Sequence, residues 1–282
     1  MKRVHPRSVL LVTKDGQADI LGLAEKIAAW LDLCGVPNTT TENREDLRDC
    51  LAVDDATLVL VLGGDGTMIS VARKIYGENI VLLGISFGRV GFLAECSKDS
   101  WRSDLEAVLC HGVAVSSRML LDVRVLRRSE TLLSTVAVND IVVGRGNLAR
   151  LIHLELVVED ERIASLRADG LILSTPTGSS AYSYSAGGPL IHPNLDVIGI
   201  TPICSFLTDI KPFVLPADKR IAIDVAEDAL DAYLTLDGQT GVHLQPGDRI
   251  LATGSSRRML LAAVAPQSYF QKLKAKGFIH GA

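Results

Sequence analysis

The hydrophobic rhythm of this chain changes once, near residue 116, and that change limits what it can fold into. Before it, short continuous apolar runs alternate with helical spacing. Val9-Leu10-Leu11-Val12, Leu58 to Leu62 and Ile80 to Ile85 are runs of the buried-strand type. Ile20 to Leu33 has helical spacing, with Leu21, Ala24, Ile27, Ala28 and Leu31 on one face, and Met68 to Ile75 reads as another helix. Continuous apolar strands alternating with helices imply a parallel sheet covered on both faces. From about Ser117 the period becomes two. Leu121, Val123 and Val125 alternate with Asp122 and Arg124, and Ile152, Leu154, Leu156 and Val158 alternate with His153, Glu155 and Glu159. Ile221, Ile223 and Val225 repeat the pattern, and Asp237-Gly238 and Pro246-Gly247-Asp248 punctuate it as turns. The expected architecture is α/β followed by β: a Rossmann-like domain over 1–116 and an antiparallel β-sandwich over 117–264. Tyr269 to Lys276 reads as a helix, so residues from about 265 to 282 are expected to pack back onto the first domain.

Length agrees, since 282 residues make one large domain or two ordinary ones. Hydrophobic residues at 48% and charged residues at 22% give a globular composition rather than a disordered one. The 29 Lys and Arg against 33 Asp and Glu leave a formal net charge of -4, which argues against a dedicated nucleic-acid binder. No apolar run approaches a membrane span, and the basic stretch Met1 to Arg7 is followed only by a short apolar run. The five cysteines are odd in number and lack C-x-x-C spacing, which points to a reducing compartment, and the six histidines show no zinc pattern. A cytoplasmic protein with no membrane or nucleic-acid partner is expected.

The glycines are clustered. Gly63-Gly64-Asp65-Gly66-Thr67 follows a strand and opens a helix, where bare backbone and the helix dipole favour phosphate. Asp65 is the unusual member. It suits a proton acceptor or a magnesium-mediated phosphate contact, and the plainer alternative is a helix N-cap. Gly84-Ile85-Ser86-Phe87-Gly88 contains G-x-S-x-G, the nucleophile-elbow string. Gly88 and Gly91 interrupt the helix an elbow needs, so Ser86 reads as a turn residue. Gly144-Arg145-Gly146-Asn147-Leu148-Ala149 satisfies the dinucleotide-binding string but is followed by period-two alternation, and reads as a hairpin turn. No Walker-A phosphate loop occurs. The richest segment, Asp169 to Pro189, runs from a strand into a stretch dense in Ser, Thr and Gly, with Tyr182 and Tyr184 available to stack on or edge a base. A flexible Ser/Gly linker is the alternative, disfavoured because Leu171 to Leu173 and Gly187-Gly188-Pro189 anchor both ends.

On these residues the sequence resembles the NAD kinase family across nearly its whole length. The first glycine cluster is shared with lipid kinases of the diacylglycerol and sphingosine type, whereas Asp169 to Pro189 is specific to NAD kinases. Gly84 to Leu93, Asn139-Asp140 and Asp237-Gly238-Gln239 also match. The resemblance implies phosphorylation of the 2′-hydroxyl of the adenosine ribose of NAD to make NADP. ATP, or polyphosphate, would be the donor, Mg²⁺ the cofactor, and a homodimer or homotetramer the assembly. It implies that Asp65 is the proton acceptor, that Gly66 lies against the same substrate, and that Gly63, Gly64 and Thr67 hold ATP phosphates. Asn139 and Asp140 would contact the adenosine part of NAD, with Asp140 standing for the family's Glu and one methylene shorter. Arg167 and Asp169 match a basic residue and an aspartate ahead of the loop. Ser180, Ala181, Tyr182, Ser183, Tyr184 and Ser185 match the loop that holds adenine, and Gln239 a later NAD contact. Arg150 is a weaker match. Ser86 stands where many members have Asn, and Ser205 to Pro212 departs most, with Lys211 in place of Arg. The rival functions are a lipid kinase, a serine hydrolase built on Ser86, and a non-catalytic NAD(P)-binding sensor.

Overall fold

The computed structural model of the chain describes residues 3–14, 17–44, 46–51, 57–77, 80–88, 91–146, 150–206, 210–229, 231–264 and 268–279. Its strands are β1 (Arg3–Val4), β2 (Ser8–Thr13), β3 (Asn38–Glu42), β4 (Thr57–Leu62), β5 (Ile80–Ser86) and β6 (Cys96–Ser97). They continue as β7 (Val113–Arg127), β8 (Glu130–Ala137), β9 (Asp140–Arg145), β10 (Ile152–Val158), β11 (Glu161–Ala168) and β12 (Gly170–Ser174). The last are β13 (Val197–Ile203), β14 (Phe213–Pro216), β15 (Ile221–Val225), β16 (Ala232–Leu236), β17 (Thr240–Leu244) and β18 (Arg249–Ala263). The helices are α1 (Ala18–Leu33), α2 (Asp65–Lys74), α3 (Trp101–His111), α4 (Tyr182–Ser185) and α5 (Tyr269–Ala275). None is long and apolar enough to cross a membrane. The chain divides into two compact units, one of Met1–Ser117 with Met259–Ala282 and one of Arg118–Arg258.

The first unit is built on a parallel sheet in which β2 lies between β3 and β4, and β5 lies between β4 and the end of β18. Every residue of β4 is buried, as a strand covered on both faces requires. Helix α1 buries Ile20, Ala24, Ile27 and Leu31. That stripe differs from the expected one. Leu21 is 40% exposed and Ala28 half-buried, because the four-three-four spacing from Ile20 leaves both beside the contact line. Trp30 and Trp101 pack edge to face at 5.7 Å between α1 and α3. Helix α5 closes the unit. Ser268 and Gln271 form a reciprocal capping box at its start and Leu273 is buried.

The second unit is a sandwich. One antiparallel sheet runs β14-β13-β12-β9-β16-β17. In the other, β10 pairs with β11 and β15, β15 with β18, and β7 with β8. One hydrophobic core takes Val123, Val125, Leu154, Leu156 and Ile223 from this second sheet, and Ile141, Val143, Leu171, Leu173 and Leu234 from the first. Alternate residues face inward on both sides, which is the period-two pattern made physical. The segment from Gly144 is not a hairpin turn. β9 pairs with β12 and β16 while β10 pairs with β11 and β15, so the connection passes from one sheet to the other. Asn147, Leu148 and Ala149 lie outside the described residues.

The Pro246-Gly247-Asp248 turn carries a buried charge. Asp248 is 1% exposed, receives two hydrogen bonds from Arg127 at 2.9 and 2.8 Å, and accepts a third from the Gln245 amide at 2.8 Å. Burial raises its pKa, but the Arg127 and Gln245 hydrogen bonds outweigh that and hold it below the usual carboxylate value. A carboxylate held low stabilises the fold above its unfolded pKa and loses that contribution as pH falls through the folded one. Asp248→Asn should cost about 2 kcal/mol at neutral pH, because the charge-assisted hydrogen bonds from Arg127 become neutral-partner ones. Thermal unfolding should show the deficit shrinking as pH is lowered below about 4. A deficit independent of pH would mean that packing, not charge, explains the loss.

Candidate active site

In the first unit, the glycine cluster sits where β4 ends and α2 begins. Gly63 ends the strand and donates its amide to the Ile85 carbonyl at 2.9 Å. A Cβ on Gly63 would lie 2.5 Å from Thr67 Oγ1, so the threonine can fold back over this position only because it is glycine. Gly64 is the helix N-cap and Asp65 the first residue of α2. Asp65 is therefore not the cap. Its carboxylate turns away from the helix to the chain beyond β5, where Oδ2 accepts from the Phe92 amide at 2.8 Å. Oδ1 accepts from the Leu93 and Ala94 amides at 3.0 and 3.1 Å. Among the described residues, these bonds saturate Oδ1 and leave Oδ2 one lone pair. Two further glycines make the arrangement possible. A Cβ at Gly91 would fall 1.8 Å from Asp65 Oδ1, and one at Gly84 would fall 2.7 Å from the Ala94 Cα. Gly64 and Gly66 are exposed, and Asp65 and Thr67 half-buried.

Ser86 does not form a nucleophile elbow. It is buried at the end of β5, its Oγ accepts from the Gly88 amide at 3.3 Å, and bends rather than a helix follow it. Arg89 and Val90 lie outside the described residues.

In the second unit, the face of the first sheet turned away from the core carries two adjoining cavities of about 540 and 300 Å³. Val142, Tyr182 and Thr235 line both. Gly144, Arg145, Gly146, Asp169, Ile203 and Tyr233 complete the larger, and Asn139, Asp140, Ala181, Asp237 and Gly238 the smaller. The larger holds an Arg145–Asp169 ion pair at 2.7 Å. The sequence-predicted residues gathered here are Asn139, Asp140, Asp169, Ala181 and Tyr182.

The others are placed differently. Ser183 is buried and its Oγ lies 3.1 Å from Thr201 Oγ1, while Ser180 donates to the Thr177 carbonyl at 3.3 Å. Thr175 donates to the Val138 carbonyl at 2.7 Å, and Ser179 donates to the Pro176 carbonyl at 2.7 Å and accepts from the Ile191 amide at 2.9 Å. Much of the hydroxyl-rich segment is thus fastened to itself and to the sheet rather than offered to a ligand. Tyr184 and Ser185 are exposed and, like Arg150, Arg167 and Gln239, are not among the cavity linings. Arg167 reaches Asp228 at 3.4 Å on the outer side of β11. The residues that sequence reasoning missed, Val142, Arg145, Tyr233 and Thr235, follow from strand register. Thr235 pairs with Val142 and Tyr233 with Gly144, so all but Arg145 share the face opposite the buried Leu234 and Val143.

Gly178 fixes the loop to this face. A Cβ there would fall 2.0 Å from the Asn139 carbonyl oxygen. Asp237, at φ +52° in the turn after β16, accepts the amides of Val138, Asn139 and Asp140 at 2.7 to 3.1 Å. Asp140 is 4% exposed, and burial, with the Asp237 charge beside it, pushes its carboxyl up to about 7. Near neutral pH the Asp140 carboxyl is therefore protonated in a large fraction of molecules and can donate a hydrogen bond.

Comparison with known proteins accords with this geometry. The family model of the ATP-NAD kinase N-terminal domain matches residues 35–113, and that of the ATP-NAD kinase C-terminal domain matches 138–264. The NAD kinase of Nitratidesulfovibrio vulgaris (Miyazaki F) is 47% identical over 274 residues, 97% of each chain. That of Geobacter sulfurreducens is 39% identical over 90% of this chain and 92% of its own. Among solved structures, yeast NADH kinase complexed with NADH superposes with a TM-score of 0.82, at 23% identity, over 99% of this chain and 89% of its own. An NAD kinase from Archaeoglobus fulgidus in complex with ATP gives 0.77 at 24% identity, over 97% and 100%. The two structures establish the fold, a two-domain kinase fold. The chain belongs to the NAD kinase family and is an enzyme of that family. The lipid-kinase and hydrolase alternatives find no support among these relatives.

The Asp140 carboxyl has a measurable consequence. A carboxyl raised in the folded state costs stability as pH climbs from its unfolded value, near 4, through about 7. The full titration corresponds to roughly 4 kcal/mol. Asp140→Asn removes it, so this variant should unfold at a higher temperature than the parent at pH 8 and gain little at pH 4. Equal pH slopes for the two proteins would refute the assignment.

Proposed function

We propose that the chain transfers the γ-phosphoryl group of ATP to the 2′-hydroxyl of the adenosine ribose of NAD, with Asp65 as proton acceptor. The observation that carries this reading is the Asp65 carboxylate, held by the Phe92, Leu93 and Ala94 amides with one lone pair left on Oδ2 among the described residues. Phosphoryl transfer passes through a loose transition state, so positioning and charge neutralisation dominate. The ribose oxygen attacks Pγ, its proton passes to Asp65 Oδ2, and the bond from Pγ to the bridging oxygen breaks to release ADP. Exposed backbone at Gly64 and Gly66, opening a ten-residue helix, supports phosphate binding there, with Gly63 and Thr67 shaping the turn.

Asp65 is the one carboxylate of the glycine turn. Mg²⁺ takes one or two carboxylates together with substrate phosphates, so the residues present suit an ion carried on the nucleotide, where it would supply charge neutralisation. The cleft of the second unit supports the NAD assignment. Tyr182 offers an exposed aromatic edge to the base, Asn139 and Asp140 offer polar contacts, and the Arg145–Asp169 pair lies further along. Arg150, Arg167, Ser183 and Gln239, which do not line these two cavities, remain NAD contacts that the family resemblance supports. Family resemblance also supports a homodimer or homotetramer and a cytoplasmic location.

NADP formation measured with ATP or polyphosphate, offering NAD and NADH separately, tests the reaction and identifies the donor. A positioned base contributes about 10²–10⁴-fold, so Asp65→Asn should lose that much kcat while binding NAD nearly as well. Near-normal kcat in that variant would exclude Asp65 as the base.

A further inference from the structure

The main chain of Phe92 is held at both its N–H and its C=O. Its amide donates to Asp65 Oδ2 at 2.8 Å, and its carbonyl lies 3.5 Å from Nζ of Lys272 on α5. The same ammonium forms an ion pair with Glu95, the residue after Ala94, whose amide also holds Asp65. Lys272 and Glu95 side chains are only 12% and 11% exposed, and Glu95 Oε2 is buried without a hydrogen-bond partner among the described residues. Glu95 therefore depends on Lys272 for charge compensation. Removing one member of such a pair leaves a buried charge that the surroundings must move to accommodate.

Helix α5 is a firm base for this contact. Ser268 Oγ accepts the Gln271 amide at 3.2 Å and Gln271 Oε1 accepts the Ser268 amide at 2.8 Å. Leu273 is buried, and beyond the helix Phe278 packs edge to face on the Phe92 ring at 5.6 Å. The segment from 268 to 279 thus grips the stretch 92–95 by charge, hydrogen bond and ring, and among the described residues that stretch supplies the hydrogen bonds the Asp65 carboxylate receives.

We propose that Lys272 is a positioning residue for the transfer step, fixing the Asp65 carboxylate through Glu95 and the Phe92 main chain. The proposal rests on the reading of Asp65 as proton acceptor. Lys272 acts through the chain at 92–95, two steps removed from the reacting atoms. Its loss lets the three amides shift, and with them Oδ2. A displacement of about 1 Å at a reacting group costs on the order of 10²-fold in rate. The effect falls on kcat, because the residues lining the NAD cleft, Asn139 to Gly146, Asp169, Ala181, Tyr182, Ile203 and those from 233 to 238, make none of these contacts.

The test uses the full chain in steady-state kinetics with ATP and NAD, comparing the parent with Lys272→Met, Glu95→Gln, Asp65→Asn and the double variant Asp65→Asn with Lys272→Met. Circular dichroism establishes that each variant is folded at the assay temperature. Lys272→Met should lower kcat by about 10- to 100-fold, with KM for NAD within about twofold, and should lower it little further in the Asp65→Asn background. Glu95→Gln should lower kcat in the same sense, and takes over the comparison should Lys272→Met fail to fold. Unchanged kcat, a loss mainly in KM, or an equal fractional loss in both backgrounds overturns the proposal. Near-normal kcat in Asp65→Asn alone instead overturns the reading of Asp65 on which it stands.

Discussion

The Asp65 carboxylate accepts three main-chain amides that belong to a different part of the chain, and the first unit is arranged so that this can happen. β4 and β5 are parallel neighbours with Leu62 beside Ile85, so the glycine turn after β4 and the irregular stretch after β5 emerge at the same, carboxyl, end of the strands. Ligands of open parallel sheets gather at that end. The approach must then be closer than side chains ordinarily permit. Gly84 lets the backbone of Ala94 lie against β5, and Gly91 leaves room for the carboxylate itself. Main-chain donors suit this task because they have no rotamers to lose. The carboxylate is fixed before any substrate arrives.

The second unit solves a related problem with a different device. Its cleft opens on a sheet surface, so its depth depends on register and on what stands at the rim. Thr235, Tyr233, Val142 and Gly144 lie on the face opposite the buried Val143 and Leu234. The hydroxyl-rich segment closes the rim by fastening itself down through Thr175, Ser179 and Ser183, with Gly178 seated against the Asn139 carbonyl. Two of its carboxyls, Asp140 and Asp237, lie close together and take unequal shares of the neighbouring amides. Asp237 takes the amides of residues 138 to 140, and Asp140, deprived of them and buried, holds its proton to about pH 7. The cleft can thereby present a donor at a position that composition alone marks as an acceptor.

The strands were readable from the sequence because burial writes itself into hydrophobic spacing. The all-buried β4 and the alternating β10 needed no more than their own residues. The glycine turn was readable too, since strand, glycines and helix follow one another directly. What spacing could not carry was direction and partner. Asp65 is compatible with a helix cap when only its neighbours are considered. That it instead accepts amides 27 to 29 residues away depends on which strands lie side by side. The run of serines looked like a ligand surface because composition cannot distinguish a hydroxyl facing a cleft from one facing the protein's own carbonyls. Gly144 to Gly146 looked like a turn between partners because alternation identifies strands without saying to which sheet each belongs. Val142, Tyr233 and Thr235 carried no motif, and only the register of β9 against β16 places them together.

The position of α5 bears on when the first unit becomes competent. The contact between Lys272 and Phe92 spans 180 residues, and the whole of the second unit lies between them in the chain. Residues 3 to 117 hold the glycine turn, the three amides and Glu95, so the local geometry around Asp65 can form from contacts of modest sequence separation. The charge that neutralises Glu95, and the ring that packs on Phe92, arrive only with the last segment. Contacts of such long separation form late, because loop closure must be met before they give any return. Until then Glu95 lacks the Lys272 ammonium, next to the amides that hold the Asp65 carboxylate. The last segment of the fold thus meets the stretch that holds the Asp65 carboxylate through two side chains, Lys272 and Phe278.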